Sequence, residues 1–220
     1  TFKTLIKTLN TLNDIHPINC ERIDTQKTQA FDFVDNDIHI DILNPETYTL
    51  SNNQKGLPFL HSTGSKSLSS SHTINGHSIV LRMTYGNVRF LFCADINTET
   101  EKKLLDEEMV GEIDLTTEIF KVPHHGSSDY DIEFLKKIKP VISILSCGDG
   151  NETKDYMHPR ANLLAALGKY TRGDEPVIFS TEICSFFKYR GPALPAKRIK
   201  EDNEYKYYPK KGGKHFFAHE

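Results

Sequence analysis

The chain has 220 residues, of which 37% are hydrophobic and 26% are charged, and its formal net charge is −3. This length and composition predict a globular domain with its own core, and the small net charge excludes a protein that binds polyanions through its overall charge. No apolar run reaches membrane-spanning length, and the first residues are too polar for a secretory signal. The widely spaced cysteines, which contain no C-x-x-C pair, favour reduced thiols and a cytoplasmic location; they are Cys20, Cys93, Cys147 and Cys184.

The N-terminal part of the chain predicts a helix, a hairpin and a long loop. Residues 2–12 carry apolar side chains at helical spacing, which predicts an amphipathic helix. Residues 31–43 alternate apolar and polar residues around a polar break, a pattern typical of two paired strands. Residues 44–77 are rich in Ser, Asn, Thr and Gly and predict a polar loop or insertion, whose length suggests a functional or flexible role.

Strands alternate with helices in the rest of the domain, which predicts the α/β class. The predicted order is a hairpin over 78–95 turning at Gly86-Asn87, a helix near 98–109, a strand over 117–122, a helix over 131–138, a buried strand over 141–148, a helix after Pro159, and a strand pair formed by PVIFST and ICSFFKY. Thr98 and Glu101 form a capping-box pattern. Ser128 or Asp131 is suited to cap the helix that follows, and Pro159 suits a first helical position.

Residues 188–220 differ in composition from residues 1–187 and predict a C-terminal extension. Between positions 188 and 214, nine Lys and Arg stand against three Asp and Glu, with tyrosines and prolines interleaved. One interpretation is a solvated extension that lies on the domain. The other is an arm that contacts nucleic-acid phosphates while its tyrosines stack on bases. The residues alone leave both interpretations open.

Polar residues follow three predicted strands, at the positions where the strands end. Asp95 follows FLFCA, and His124 and His125 follow IFKVP. His158 comes after the loop that follows ISILSCG. Sites in open α/β folds lie at the carboxyl ends of strands, and carboxylate and imidazole are ligands of zinc and similar divalent ions. An aspartate can bridge two such ions, and Gly126 allows the chain to turn sharply after the histidine pair.

Each of these residues also has a structural interpretation. A His-His pair in a loop is commonly a surface feature. Asp95 can be a carboxylate that precedes a helix, and His158 can be an N-cap before Pro159. Their occurrence at successive strand ends favours a metal site over these separate interpretations.

Three separated stretches carry a family resemblance: NGHSIVLRMTYGNVRFLFCADINTETEKKLL, IFKVPHHGSSDYDIEFLKKIKPVISILSCG and MHPRANLLAAL. They resemble the second half of the metallo-β-lactamase-fold domain, in the competence-type branch found at the end of bacterial DNA-uptake channel proteins and in stand-alone hydrolases. The resemblance covers about residues 38–187. It implies an αββα sandwich and a hydrolase with two zinc ions, or manganese or a similar metal, in the full site.

The resemblance also implies roles for individual residues. Asp95 would bridge the two metals, His125 would bind the first of them, and His158 would bind the second. His124 would support the site from within the pair. Asn75 and Ser78 would line the site.

The chain departs from the family pattern at three points. The family usually has Gly where this chain has Ala94, which we interpret as a small change, and the loop over 44–77 is longer than in the pattern. None of the ten histidines forms the His-x-His-x-Asp-His loop that supplies the other ligands of the fold. The chain therefore resembles the back part of a domain whose front part lies upstream or is lost. If the chain is complete, the first residues to consider as further ligands are His61, His72 and His77.

Two function classes follow from the sequence. The first is a metal-dependent hydrolase, acting on a nucleic-acid phosphodiester or, as a second choice, on a small-molecule ester. We expect this chain alone to be inactive, to hold two metals only weakly, and to expose apolar faces and strand edges. The second class is a non-catalytic or degenerate module of the same fold that binds nucleic acid or a protein partner.

Overall fold

The structure of the protein is a computed structural model, which describes residues 2–18, 23–26, 31, 35–58, 60, 69–147, 158–181, 196–201 and 204–209. The described part has mixed α/β architecture, with five α-helices and a six-stranded mixed sheet. This confirms the predicted α/β class. The six-stranded sheet is the one large sheet among the described residues, so the second layer of an αββα sandwich is not part of what they show.

The helices and strands have the following bounds. The helices are α1 (Phe2–Ile15), α2 (Ser70–Gly76), α3 (Thr98–Met109), α4 (Ile132–Ile138) and α5 (Ala161–Tyr170). The strands are β1 (Ile38–Asn44), β2 (Tyr48–Thr49), β3 (Lys55–Gly56), β4 (Val80–Tyr85), β5 (Val88–Phe92), β6 (Ile119–Lys121), β7 (Ile142–Leu145), β8 (Val177–Ser180), β9 (Ala196–Glu201) and β10 (Glu204–Pro209). In the described part of the chain, no helix combines the length and apolarity needed to cross a membrane.

The large sheet has the strand order β1-β4-β5-β6-β7-β8. Strands β1, β4 and β5 pair antiparallel, whereas β5, β6, β7 and β8 run parallel. The carboxyl ends of the parallel strands therefore meet at one edge, which we call the site edge. Because β4 runs against β5, with Leu81 opposite Phe92, the start of β4 lies at the site edge as well.

One face of the sheet is buried beneath α3, α4 and α5. Alternate strand residues point toward these helices, and Leu91, Phe120 and Leu145 are almost completely inaccessible to solvent. The ring of Phe120 meets that of Phe134 edge to face, with centroids 6.5 Å apart. The strands and helices contribute to one continuous cluster of buried residues, which holds the site edge in place.

The opposite face, which we call the outer face, is apolar and partly exposed, although Ile42 on its edge strand β1 is buried. Strand register aligns two rows of side chains across all six strands: Ile42, Leu81, Phe92, Lys121, Ile144 and Phe179 form one, and Ile40, Met83, Phe90, Ile119, Ile142 and Val177 form the other. Phe179 is 59% exposed, and Phe92 is 39% exposed. Parallel strands normally have both faces covered. The outer face is therefore the exposed apolar face that the sequence led us to expect.

We expect the outer face to bind an apolar dye in this chain. Replacing Phe92 and Phe179 together by Thr, which keeps strand propensity, should lower the fluorescence of bound anilinonaphthalene sulfonate at least about twofold. The free energy of unfolding should change little, because both rings are already partly in water. Met109→Ser is the control, since Met109 is 80% exposed and lies at the end of α3. Equal dye binding by the double variant and the wild type would contradict this account of the outer face.

Several predicted elements are confirmed at nearly the predicted positions. Helix α1 begins as predicted and extends to Ile15, and the second hairpin turns at Gly86-Asn87. Strands β6, β7 and β8 and helices α3 and α4 lie within the predicted stretches. The predicted partner strand ICSFFKY begins beyond Thr181 and lies outside the described residues.

The stretch over 44–77, predicted as a polar loop or insertion, contains a short helix and a small hairpin among its described residues. Ser69 caps α2 by accepting a hydrogen bond from the amide of His72, so the Ser-rich stretch begins a helix. Strands β2 and β3 form a small hairpin, closed by a hydrogen bond from the amide of Leu50 to the carbonyl of Gln54. A hairpin was predicted over 31–43, and its second strand is observed as β1. Positions 32–34, before that strand, lie outside the described residues.

Two helices start at other residues than predicted. Helix α3 is capped by Asn97, whose side chain accepts a hydrogen bond from the amide of Thr100, and not by Thr98. Helix α5 is preceded by Arg160 as its N-cap residue, so Pro159 lies outside the helix. Asp131 caps α4 by accepting from the amide of Glu133, which selects it over Ser128.

The C-terminal extension contains an antiparallel strand pair, β9 with β10. The register pairs Tyr205 with Lys200 and Tyr207 with Arg198. The register therefore places basic residues opposite tyrosines in the segment that the composition singled out. This pairing does not decide between a solvated extension and an arm that contacts nucleic acid.

Candidate metal centre at the site edge

Asp95, His124, His125 and His158 come together at the site edge. Asp95 lies in the loop after β5, and the two neighbouring histidines lie in the single 3₁₀ turn after β6. The Nε2 atom of His125 is 3.5 Å from Oδ1 of Asp95, and the rings of His124 and His158 have centroids 5.9 Å apart. The structure thus brings Asp95 to His125 and His124 to His158, and the predicted convergence of His158 with Asp95 and His125 stays a prediction.

His125 is held in the orientation that a metal-binding imidazole needs. Its Nδ1 atom is 2.5 Å from the backbone carbonyl of Ser146, at the end of β7. A carbonyl only accepts, so Nδ1 must carry the proton, and the neutral ring then has its lone pair on Nε2, which faces Asp95. A second-shell carbonyl that fixes the tautomer in this way is typical of histidines that bind metals.

The turn that presents the histidines has an unusual backbone. His124 has φ 49° and His125 has φ 53°, both in the left-handed region, and Gly126 follows with φ 87°. Two successive left-handed residues with side chains are energetically unfavourable, and such strain is common at functional sites. The carbonyl of Ala94 accepts a hydrogen bond from the amide of His124 at 2.9 Å, which ties this turn to the loop of Asp95.

Ala94 also adopts a left-handed conformation, with φ 43°. This is the position at which the family pattern has Gly, the residue that takes positive φ without steric cost. The interpretation of Ala94 as a small change was wrong in this respect. The side chain is small, but the backbone requires a conformation that any L-residue adopts at a cost of about 1 kcal/mol.

His124 has an unsatisfied polar atom beside the site. Its Nδ1 is buried and has no hydrogen-bond partner among the described residues. Buried ring nitrogens normally have a partner, so this atom calls for a water or a metal ion. His124 is therefore as plausible a ligand by geometry as His125, and the assignment of His125 as the ligand stays a prediction.

Asn75 and Ser78 lie at the site edge, one in α2 and the other just before β4. The carbonyl of Asn75 accepts a hydrogen bond from the amide of Ser78 at 2.9 Å, which ends the helix. The side chain of Asn44 donates to the carbonyl of Ser78 at 2.7 Å and fixes this segment against β1. The described contacts of Asn75 and Ser78 involve their backbone only, and their predicted role in lining the site stays a prediction.

His72 lies between two carboxylates. It was not assigned to the site from the sequence and was named only as a residue to consider as a further ligand. Its Nε2 is 2.6 Å from Oε2 of Glu99, and its Nδ1 is 3.8 Å from Oδ2 of Asp129. Asp129 in turn accepts a hydrogen bond from the hydroxyl of Thr98. These contacts join α2, α3 and the segment after the histidine pair. No local signal predicts them, because the partners are 27 or more positions apart in sequence.

The donors at the site edge suit a zinc-like ion in chemistry. They include one carboxylate, a tautomer-fixed imidazole and an imidazole with an unsatisfied buried nitrogen. Within the described residues, no three His, Cys, Asp or Glu side chains are close enough together to form a complete metal-binding group. Cys93 is a buried thiol, and the Sγ atom of Cys147 is 3.1 Å from Oγ of Ser180.

Comparison with protein-family models finds no match to this chain, and comparison with curated proteins finds none either.

Proposed function

We propose that the protein is a metal-dependent hydrolase of the metallo-β-lactamase superfamily that cleaves phosphodiester or other ester bonds. The observation that carries this proposal is the position of His125 between the carbonyl of Ser146 and the carboxylate of Asp95. A structural histidine at a strand end does not require a fixed tautomer with its free nitrogen directed at a carboxylate. A carbonyl partner for the other ring nitrogen is usual for a metal ligand, and a metal ion between Nε2 of His125 and Asp95 would bind both.

Asp95, His125 and His158 are the residues that would hold the metal, and His124 contributes its unsatisfied nitrogen or supports the others. The full site would take two zinc ions, with manganese or a similar ion as an alternative. Such ions lower the pKa of a bound water toward about 7 and stabilise negative charge that develops on oxygen. The chain itself orients the donors: the Ser146 carbonyl holds the proton on Nδ1 of His125, and the strained turn aims both histidines at the site edge.

An upstream part of the protein would complete the αββα sandwich and supply the remaining ligands. The exposed outer face supports this proposal, since an apolar sheet face in an α/β domain normally packs against another layer. This chain alone should then be inactive and should hold metal weakly. Asn75 and Ser78 would line the completed site from the start of β4.

A non-catalytic module is the second candidate function. The donors form two separate pairs, which suits a domain that has lost catalytic activity. Positions 188–214 are basic, which suits a domain that binds nucleic acid. The two functions differ in a simple way. A hydrolase has turnover that requires Asp95. A binding module has no turnover.

Hydrolysis of bis(4-nitrophenyl) phosphate by the full-length protein tests the proposal. We expect Asp95→Asn to lower turnover on the order of 100-fold or more, because a lost metal ligand exceeds the usual effect of its supporting residues. Asp114→Asn is the matched control, since Asp114 pairs with Arg89 at 2.8 Å, at the end of β5 opposite the site edge. A full-length protein without turnover would favour the binding module, and turnover that survives Asp95→Asn would contradict the proposed role of Asp95.

A further inference from the structure

Lys121 interrupts an otherwise apolar row on the outer face, directly beside the site edge. The register places it between Phe92 of β5 and Ile144 of β7. It is the last residue of β6, and the turn that carries the histidine pair begins two positions later. Since the neighbouring positions of this row accept apolar side chains, the sheet itself has no need of a charge here.

The ammonium group of Lys121 is only partly compensated by the fold. It is half-buried and donates one hydrogen bond, to the carbonyl of Val122 at 2.9 Å. Among the described residues, no carboxylate lies within ion-pair distance of it, whereas most of the other partly buried cations of the sheet and helices have such a partner. An ammonium has three donors, so two remain for other partners.

Lys121 lies beside the site edge, because it ends the strand that leads into the turn of the histidine pair. Burial lowers the pKa of its ammonium, and the strongest opposing influence is the negative charge of Asp95. Burying a cation without a full set of partners lowers stability, and such unfavourable features are usual where a group is kept for binding. The ammonium is thus a partly desolvated positive charge at the end of the strand that leads to the proposed metal ligands.

We propose that Lys121 binds an anionic oxygen of the substrate beside Asp95, which makes a phosphodiester the substrate class. This inference rests on the proposed function and narrows it from esters in general to esters that carry a negative charge. A phosphodiester keeps one anionic oxygen next to the bond that is cleaved, and a lysine ammonium is a suitable point charge for it. A neutral ester offers no such group.

The test is a titration of this chain with dimethyl phosphate, followed by the amide NMR signals of residues 121, 122 and 124–126. We expect Lys121→Met, which keeps the apolar stem and removes the charge, to weaken binding about tenfold, as the loss of one charge-assisted hydrogen bond predicts. Lys121→Arg should bind nearly as well as the wild type. Lys7→Met is the control for the loss of one positive charge, because Lys7 lies on the exposed surface of α1.

Stability distinguishes a binding role from a structural one. Lys121→Met should unfold at the same or a higher urea concentration, because it removes a partly buried charge. A lower unfolding midpoint together with unchanged dimethyl phosphate affinity would assign Lys121 to structure and overturn the proposal. Undetectable binding by the wild type, or tighter binding of acetate than of dimethyl phosphate, would overturn it as well.

The dimethyl phosphate titration and the hydrolysis experiment test different claims, and each can fail without the other. If dimethyl phosphate binds through Lys121 while the full-length protein shows no turnover, the inference on anion binding stands and the hydrolase fails. If turnover depends on Asp95 but not on Lys121, the hydrolase stands and this inference fails.

Discussion

Gly126→Ala should lower the free energy of unfolding by about 3 kcal/mol, which combines a left-handed backbone penalty with a steric clash. Gly126 has φ 87°, and a Cβ atom there would lie 2.8 Å from Cδ2 of Leu145 and 2.8 Å from Cβ of Pro159. Leu145 belongs to the buried end of β7, so it cannot move freely. The segment of Pro159 must therefore shift away, and it carries His158.

The matched control is Gly111→Ala. Gly111 has φ 81°, nearly the same conformation, but a Cβ atom there would have no heavy atom within 4 Å. Its substitution should cost only the backbone penalty, about 1–2 kcal/mol. Urea denaturation of the two variants measures the difference. Equal losses would show that the contact of Gly126 with Leu145 and Pro159 does not constrain the site.

Glu101→Gln should stabilise the protein at neutral pH and have little effect near pH 4. The carboxyl of Glu101 is completely buried, and its Oε2 accepts a hydrogen bond from the amide of Asp131. Burial raises the pKa of this group well above its usual value of 4.5, and the charges of Asp129, Asp131 and Glu99 raise it further, against the opposing effect of that hydrogen bond. The folded protein therefore keeps a proton that the unfolded chain releases.

The sign of the pH effect follows from this difference. Below pH 4.5 both states bind the proton, and above it only the folded state does, so stability falls as pH rises until Glu101 ionises in the folded protein. This group alone contributes a slope of about 1.4 kcal/mol per pH unit in that window. Gln keeps an acceptor for the Asp131 amide and removes the titration.

Denaturation of wild type and Glu101→Gln at several pH values between 4 and 8 measures the effect. Glu112→Gln is the control, because Glu112 is exposed just beyond the end of α3. We expect the stability difference between wild type and Glu101→Gln to grow with pH and that of the control to stay constant. A difference that is independent of pH would mean that Glu101 is not protonated in the folded protein.

The order of elements from β4 onward could be predicted because its signals are local. Apolar runs flank the Gly86-Asn87 turn, and helical spacing and turn residues bound the helices. The convergence of Asp95 and His125 could be predicted as well, because parallel strands necessarily bring their carboxyl ends to one edge. These are consequences of chain order and strand direction, which the sequence carries directly.

The remaining features depend on contacts between distant segments. The Ser146 carbonyl that orients His125 lies 21 positions further along, and the pairing of His72 with Glu99 spans 27 positions. The left-handed backbone at Ala94 and the burial of Glu101 likewise arise from packing, which no local pattern encodes. The helix at 70–76 was missed because a Ser-rich stretch has low helix propensity, and the capping hydrogen bond to Ser69 is what defines its start.

The central claim is that the site edge belongs to a metal centre, and metal analysis of the full-length protein tests it most directly. We predict two zinc-like ions per chain after purification without chelator, and loss of bound metal in Asp95→Asn while Asp114→Asn retains it. His125→Ala should lose metal as well, and comparison with His124→Ala assigns the ligand within the pair. A full-length protein that binds no metal, or an Asp95→Asn variant with its metal content unchanged, would contradict the account.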